Sequence, residues 1–144
     1  MKNNLTIWLA YLGTIPFILS AVLVLQDNEG LMSTSNLTHV LNSYALIIVV
    51  FMAGVHWGCY LSDEKSHSIS LLLISNVITL IAWFAFLLTP FIITLLIYCL
   101  AFVVLLFIDS KLLSLDVISK EYFKLRLTIT SIVIMSLLLV VSYS

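Results

Sequence analysis

Charged residues are scarce in this chain of 144 residues. They make up 9% of it, against about 25% in a soluble domain, so a soluble globule would lack the polar coat that keeps it dispersed. Intrinsic disorder is excluded for the opposite reason, because disorder needs low hydrophobicity and high charge. The net charge is −1 and there is no basic arm or stripe, which argues against a nucleic-acid partner.

Cysteine, glycine and proline are also few. Cys59 and Cys99 are the two cysteines, too few for a disulfide framework or a Cys-rich metal site. Four glycines and two prolines leave no flexible linker. There is no glycine-rich phosphate loop, no HExxH pattern and no Ser/His/Asp set. His39 is about 25 Å from His56 along the same predicted helix, and His67 is in a loop that reaches the inner edge at most. The sequence therefore predicts no metal and no cofactor, and it favours a protein that is not an enzyme without excluding one.

Long apolar runs dominate what is present. Hydrophobic residues make up 62% of the chain, and the mean hydropathy is +1.22. A helix needs about 20 mostly apolar residues to cross a bilayer. Five segments have this length: Leu5–Leu25, Val40–Leu61, Ser68–Leu88, Pro90–Ile108 and Phe123–Tyr143. We therefore expect one all-α domain over residues 1–144, a polytopic bundle of five transmembrane helices.

The longest of the loops that carry basic residues is Asp109–Tyr122, between the fourth and fifth spans. It contains apolar residues, among them Leu112, Leu113 and Leu115. Apolar residues next to charged ones outside a span are typical of a helix that lies in the membrane interface. The sequence therefore predicts a short interfacial helix in this loop.

The basic residues define an orientation. All six Lys and Arg residues lie on one side of the five-span topology, at the N-terminus, in the second and fourth loops and at the start of the fifth span. By the positive-inside rule the N-terminus is cytoplasmic and the C-terminus outside. The first apolar run, about 21 residues, is longer than the apolar core of a signal peptide and lacks a clean cleavage site. We expect it to remain as a membrane helix, and we expect a multi-pass protein of a bacterial inner membrane.

Polar residues inside the spans gather in the inner half. At 1.5 Å per residue, six of them fall at comparable depths near the basic side: His56, Trp57, Asn76, Asp109, Tyr122 and Arg126. Intramembrane polar residues often mark function, so we expect them to line a polar pocket that opens inward. The alternatives are an aromatic belt and basic side chains that reach the headgroups. Whether Asp109 and Arg126 pair is left open.

Two further patterns concern helix geometry. Gly54 and Gly58 are four residues apart and form a GxxxG face that lets another helix approach closely. His56 lies roughly opposite these glycines on the helical wheel. Pro16 falls inside the first span with Gly13 beside it, and a proline removes a helical hydrogen bond, so we expect a kink there.

The chain resembles an uncharacterised membrane family, domain of unknown function 3429, whose animal member is the mitochondrial transmembrane protein 69. The blocks that carry the resemblance run in order over nearly the whole chain: Leu12–Phe17, Tyr44, Phe51–Gly58, Ala82–Trp83, Asp109 and Tyr122–Thr130. One departure is Ala53, where the family pattern has glycine. The resemblance implies a membrane protein and brings no known activity and no cofactor.

Three functions remain open from the sequence. The favoured one is an accessory or assembly subunit that works by helix contacts, because the loops are short, the GxxxG face is present and no catalytic set is found. The second is a small-molecule transporter or channel, against which the lack of a mid-membrane Asp or Glu counts. The third is a membrane enzyme or a protein that binds a lipid or quinone in the inner pocket. The expected partners are membrane lipids and another membrane protein or a second copy of the chain.

A reporter that is active only outside the cytoplasm, fused after Ser144, tests the orientation. We expect activity there, because all six basic residues lie on the other side. The same reporter fused after Lys120 is the control and should be inactive. A reporter after Ser144 that works only in the cytoplasm would overturn the assignment.

Overall fold

A computed structural model describes residues 4–26, 34–64, 66 and 70–143. This part of the chain is helical, as its apolar composition predicts. It forms six helices in order: α1 Asn4–Leu12, α2 Ile15–Leu25, α3 Thr34–Ser62, α4 Leu71–Leu88, α5 Phe91–Ser114 and α6 Lys120–Tyr143. Counting α1 and α2 as one unit, five of these are long and apolar enough to cross a membrane. The prediction of five apolar spans is therefore confirmed.

The helix bounds differ from the predicted spans at several ends. α3 begins at Thr34 instead of Val40, and α6 begins at Lys120 instead of Phe123. Hydropathy underestimates the length of these helices, because their first turns are polar and yet helical. The predicted start of the third segment, Ser68, lies outside the described residues, and α4 begins at Leu71.

The predicted interfacial helix between Asp109 and Tyr122 is wrong. α5 passes Ile108 and continues to Ser114. Leu112 is fully buried in the core, so the apolar residues of this stretch extend the packed face of α5 and do not lie along the membrane surface. Asp109 is consequently not the last residue of its helix but lies more than one turn inside it.

A Schellman motif ends α5. Asp116 has a φ of 57°, the left-handed conformation usual at this position. Its N–H donates to the carbonyl of Leu113 (3.1 Å), and the N–H of Val117 donates to the carbonyl of Leu112 (3.0 Å). Val117 also packs against the core. The turn reverses the chain within a few residues, and it holds the start of α6 beside the end of α5.

The first span is broken between α1 and α2, at the position of Gly13 and Pro16. Pro16 stands in the first turn of α2, where a missing N–H is tolerated. The N–H of Phe17 donates to the carbonyl of Thr14 (3.1 Å) instead of that of Gly13. The Gly13 carbonyl is satisfied from α3, because the Tyr44 hydroxyl donates to it (2.9 Å). A side chain of another helix thus compensates the break.

The core runs along α5, which packs against α3, α4 and α6. Its buried face includes Leu95, Tyr98 and Leu105, each fully shielded. α2 packs against α3 and α6, and the Phe17 ring contacts the rings of Tyr44 (5.2 Å between centroids) and Phe102 (6.4 Å). α1 has no buried residue, so it is the most loosely attached wall of the bundle.

Short connections make successive spans antiparallel. One end of the bundle therefore holds the starts of α1, α4 and α6 and the ends of α3 and α5. Lys111, Lys120 and Lys124 lie in the last turn of α5 and the first turns of α6, so we call this the basic end. The buried charged residues described below lie near it.

Tyr44→Phe tests the support of the helix break. The substitution keeps the ring against Phe17 but leaves the Gly13 carbonyl without its donor, so we expect a loss of about 1 kcal/mol in unfolding free energy. Reversible unfolding in mixed detergent micelles measures it. Tyr143→Phe, on a residue that is 65% exposed, is the control and should change nothing. Equal stability of the two variants would contradict this role for Tyr44.

Candidate functional site

A buried carboxylate joins three helices. Asp109 of α5 accepts a hydrogen bond from Nε of Arg126 on α6 at Oδ2 (2.8 Å), and Oδ1 lies 2.9 Å from Nε2 of His56 on α3. His56 and Asp109 are each 1% exposed and Arg126 is 6% exposed. We call these three residues the charge cluster. With a neutral imidazole its formal charges sum to zero.

The charge cluster lies more than one helical turn inside the basic end of the bundle. His56 is six residues before the end of α3, Asp109 is five before the end of α5, and Arg126 is six after the start of α6. At 1.5 Å per residue all three are about 8–9 Å from the basic end. Ionised groups at such depth are costly and almost always pair with one another. The pairing explains how a chain this apolar tolerates Asp109.

The hydrogen bonds determine the tautomer of His56. A carboxylate only accepts hydrogen bonds, so Nε2 of His56 carries the hydrogen that is donated to Asp109. The other ring nitrogen, Nδ1, is buried and has no partner within the described part of the chain. A buried polar atom without a partner is uncommon and is often matched by a water or a ligand. The imidazole is therefore oriented by Asp109 and keeps one free polar atom.

Arg126 has more N–H donors than its described neighbours have acceptors for them. A guanidinium has five N–H groups. Nε donates to Asp109, and Nη1 donates to the sulfur of Met52, which is a weak acceptor. The described residues provide no oxygen for Nη1 or Nη2. This cation is neutralised by Asp109, but within the described part of the chain most of its N–H groups have no strong acceptor.

A cavity of about 550 Å³ lies against Arg126. It is lined by α1, α2, α3 and α6, with one residue of α5, and it is partly open to the outside of the bundle, where Leu9 and Phe51 of its lining are exposed. The lining is mostly apolar and consists of Thr6, Leu9, Ala10, Gly13, Phe17, Ile48, Phe51, Met52, Val55, Phe102, Tyr122, Leu125, Arg126, Ile129, Thr130 and Val133. Thr6, Tyr122 and Arg126 lie at its basic end, and Phe17 and Val133 lie at the other. The predicted inward-opening polar pocket is thus an apolar chamber with a polar end.

The chemistry of this chamber suits an amphiphile. Ligand sites are typically apolar concavities with a few placed polar groups, and here the placed groups are Arg126 and Tyr122. Among the described residues no group of three His, Cys, Asp or Glu side chains is placed to hold a metal ion. His56 and Asp109 bind each other instead.

The structure brings four of the six predicted polar residues together. His56, Asp109 and Arg126 form the charge cluster, and Tyr122 lines the cavity beside Arg126. The prediction that Trp57 and Asn76 line the same pocket is wrong, because both are exposed on the outside of the bundle. Trp57 follows His56 by one residue and is turned about 100° away from it. Similar depth alone placed these two in the cluster, and depth does not tell which way a side chain points.

Gly54 and Gly58 lie on the exposed face of α3. A Cβ built on either would meet no atom within 4 Å, so no helix of the described chain packs against them. Their placement agrees with the wheel, which puts them opposite the buried His56. A role in packing against another protein stays a prediction.

Sequence reasoning missed two residues of the site. Met52 contacts Arg126, and Thr6 lines the polar end of the cavity. Met52 precedes His56 by four residues, so it lies on the same helix face. That spacing was the available signal. No comparable signal marked Thr6, because its position depends on how α1 packs beside α6.

Comparison with known proteins places the chain in a family. A family model described as a protein of unknown function, DUF3429, matches residues 3–142. The chain belongs to the DUF3429 family. The predicted membership is thereby confirmed. No curated protein and no solved structure matches the chain. The family brings no activity, so function has to be inferred from the site.

A double-mutant cycle tests the coupling of Asp109 to Arg126. Asp109→Asn or Arg126→Gln alone leaves an unpaired buried charge, and we expect each to cost about 3–5 kcal/mol of unfolding free energy. The double variant removes both charges and should cost much less than the sum. Lys124→Gln on the exposed side of α6 is the control and should stay within about 0.5 kcal/mol of the wild type. Additive single effects would mean that the two side chains do not interact.

Proposed function

We propose that the chain is an integral membrane protein that binds a single-chain or isoprenoid amphiphile in the cavity between α1, α2, α3 and α6. The observation that carries this proposal is the under-satisfied guanidinium of Arg126 at one end of an otherwise apolar chamber. An apolar chamber accommodates a hydrocarbon chain, and free N–H donors bind headgroup oxygens. The proposal develops the lipid- or quinone-binding hypothesis.

The length of the cavity supports an occupant from one leaflet. On α6 its lining runs from Tyr122 to Val133, and on the first span from Thr6 to Phe17. Each stretch rises about 16 Å, which is about half of a 30 Å hydrocarbon core. A chain that enters from the leaflet at the basic end would lie parallel to its neighbours in the bilayer. α1, which has no buried residue, is the wall whose displacement would admit it.

The charge balance favours a neutral headgroup with oxygen acceptors. Asp109 already neutralises Arg126, and with a neutral His56 an anionic ligand would give the site a net negative charge in a low-dielectric environment. An ester, a carbonyl or a quinone oxygen accepts from Arg126 without adding charge. The same oxygen could accept from the hydroxyl of Tyr122, which lies at the same end of the cavity.

Other functions have weaker support. The apolar lining gives no hydrated route across the membrane, so transport of an ion is not favoured. The accessory-subunit hypothesis is supported by the open glycine face of Gly54 and Gly58, which leaves room for a helix of another protein. We further propose that the basic end faces the cytoplasm, and that the protein resides in a bacterial inner membrane.

Native mass spectrometry with lipid extraction tests amphiphile binding. The wild type is purified from its membrane in mild detergent and compared with Ala10→Trp, which fills the cavity from α1 and leaves the three residues of the charge cluster unchanged. Val103→Trp on the exposed face of α5 is the matched control. We expect about one retained amphiphile in the wild type and the control, and at least about a tenfold lower occupancy in Ala10→Trp.

The outcomes separate the hypotheses. A wild type without adduct, or equal occupancy in Ala10→Trp, would overturn the proposal. An adduct with the mass of a polypeptide would favour the accessory-subunit hypothesis. The extracted molecule distinguishes a quinone, by its absorbance, from an ester lipid, by its fragments. The double variant Asp109→Asn with Arg126→Gln keeps the site neutral and should weaken retention of either.

A further inference from the structure

We propose that two copies of this chain associate in the membrane through the outer face of α4, with Asn76 of one copy hydrogen-bonded to Asn76 of the other. The inference rests on the placement of a polar side chain that the amphiphile site does not use. It is independent of that site, which is formed by α1, α2, α3 and α6.

Asn76 lies inside the hydrocarbon region. α4 runs from Leu71 to Leu88, 18 residues, and at 1.5 Å per residue this gives about 27 Å. A bilayer core is about 30 Å thick, so the whole of α4 is needed to cross it. Asn76 is five residues from the start of α4, or about 7.5 Å inside. Its short side chain cannot reach the headgroups from there.

The Asn76 amide points out of the bundle. The residue is exposed, and its side chain makes no hydrogen bond within the described part of the chain. The inner face of α4 is formed by other residues, namely Leu71, Ser75, Ile78, Ala82 and Ala85. An exposed carboxamide in the hydrocarbon core is costly unless it is bonded to a neighbouring helix. The described part of the chain offers no such neighbour.

Asn76 belongs to a continuous seam. The residues of this seam are all exposed and are spaced by three and four in alternation: Leu73, Asn76, Leu80, Trp83 and Leu87. This is the spacing of the a and d positions of a heptad. At about 100° per residue the seam lies roughly 160° from the buried face of α4. A single Asn among apolar seam residues sets the register of paired helices.

A second copy of the chain supplies the hydrogen-bond partner that the Asn76 carboxamide needs. Copies inserted in one membrane have the same orientation, so a two-fold axis along the membrane normal sets α4 parallel to α4. Asn76 then meets Asn76 at equal depth. A carboxamide has both donors and an acceptor, so two of them form reciprocal hydrogen bonds. A different partner would need a matching polar group at that depth, whereas a copy has one by construction.

Energy transfer between labelled copies in vesicles of phosphatidylcholine and phosphatidylglycerol tests the pairing. The full-length chain is studied over a series of protein-to-lipid ratios. Because interhelical hydrogen bonds in membranes are modest, we expect Asn76→Leu to weaken dimerisation about fivefold to tenfold. Asn76→Gln keeps the amide and should retain most of it. Thr128→Val, on an exposed threonine of α6, is the control and should behave as the wild type.

Cross-linking locates the interface independently. In a Cys59→Ala/Cys99→Ala background, Leu80→Cys should form an intermolecular disulfide on oxidation, whereas Val103→Cys on the exposed face of α5 should not. A monomeric wild type, unchanged dimerisation of Asn76→Leu, or equal cross-linking at both positions would overturn the proposal. Dimers lost on Gly54→Leu but kept on Asn76→Leu would also overturn it, because they would assign the interface to α3.

Discussion

The bundle depends on one buried carboxylate. Asp109 lies about 8 Å from the end of an apolar helix and is tolerated there because Arg126 neutralises it and His56 donates to its other oxygen. These bonds connect α5 to α6 and to α3. They hold the basic ends of three spans in one register, in a protein whose remaining contacts are mostly between apolar side chains that specify register weakly.

The cavity follows from the same constraint. Arg126 is held toward Asp109 through Nε, so its terminal nitrogens remain at the basic end of the chamber beside Met52. The break between α1 and α2 contributes the opposite wall. Tyr44 supplies a donor to the Gly13 carbonyl, which loses its own helical donor where the first span ends one helix and begins another. A loosely packed α1 beside a rigid cluster is an arrangement suited to taking up a ligand from the bilayer.

Composition and hydropathy were sufficient for the architecture but not for the orientation of side chains. Five spans, the residues of the charge cluster and the position of the break at Pro16 could be inferred because each depends on local chemistry and depth. Trp57 and Asn76 were assigned to the cluster for their depth, yet both face outward, since rotation about a helix axis is decided by packing.

The end of α5 was misplaced because Asp109 resembles a terminal charge until its partner on α6 is known. Thr6 was missed because its place depends on tertiary contact between α1 and α6.

Solid-state NMR on the protein in lipid bilayers tests the central claim most directly. Nitrogen-to-carbon distances are measured from Nε2 of His56 and from Nε of Arg126 to the carboxyl carbon of Asp109. Hydrogen bonds of ordinary length place both nitrogens within about 4 Å of that carbon. We expect both distances in this range, with the hydrogen of the imidazole on Nε2 and not on Nδ1. A distance beyond hydrogen-bond reach for either nitrogen, in a folded sample, would contradict the account.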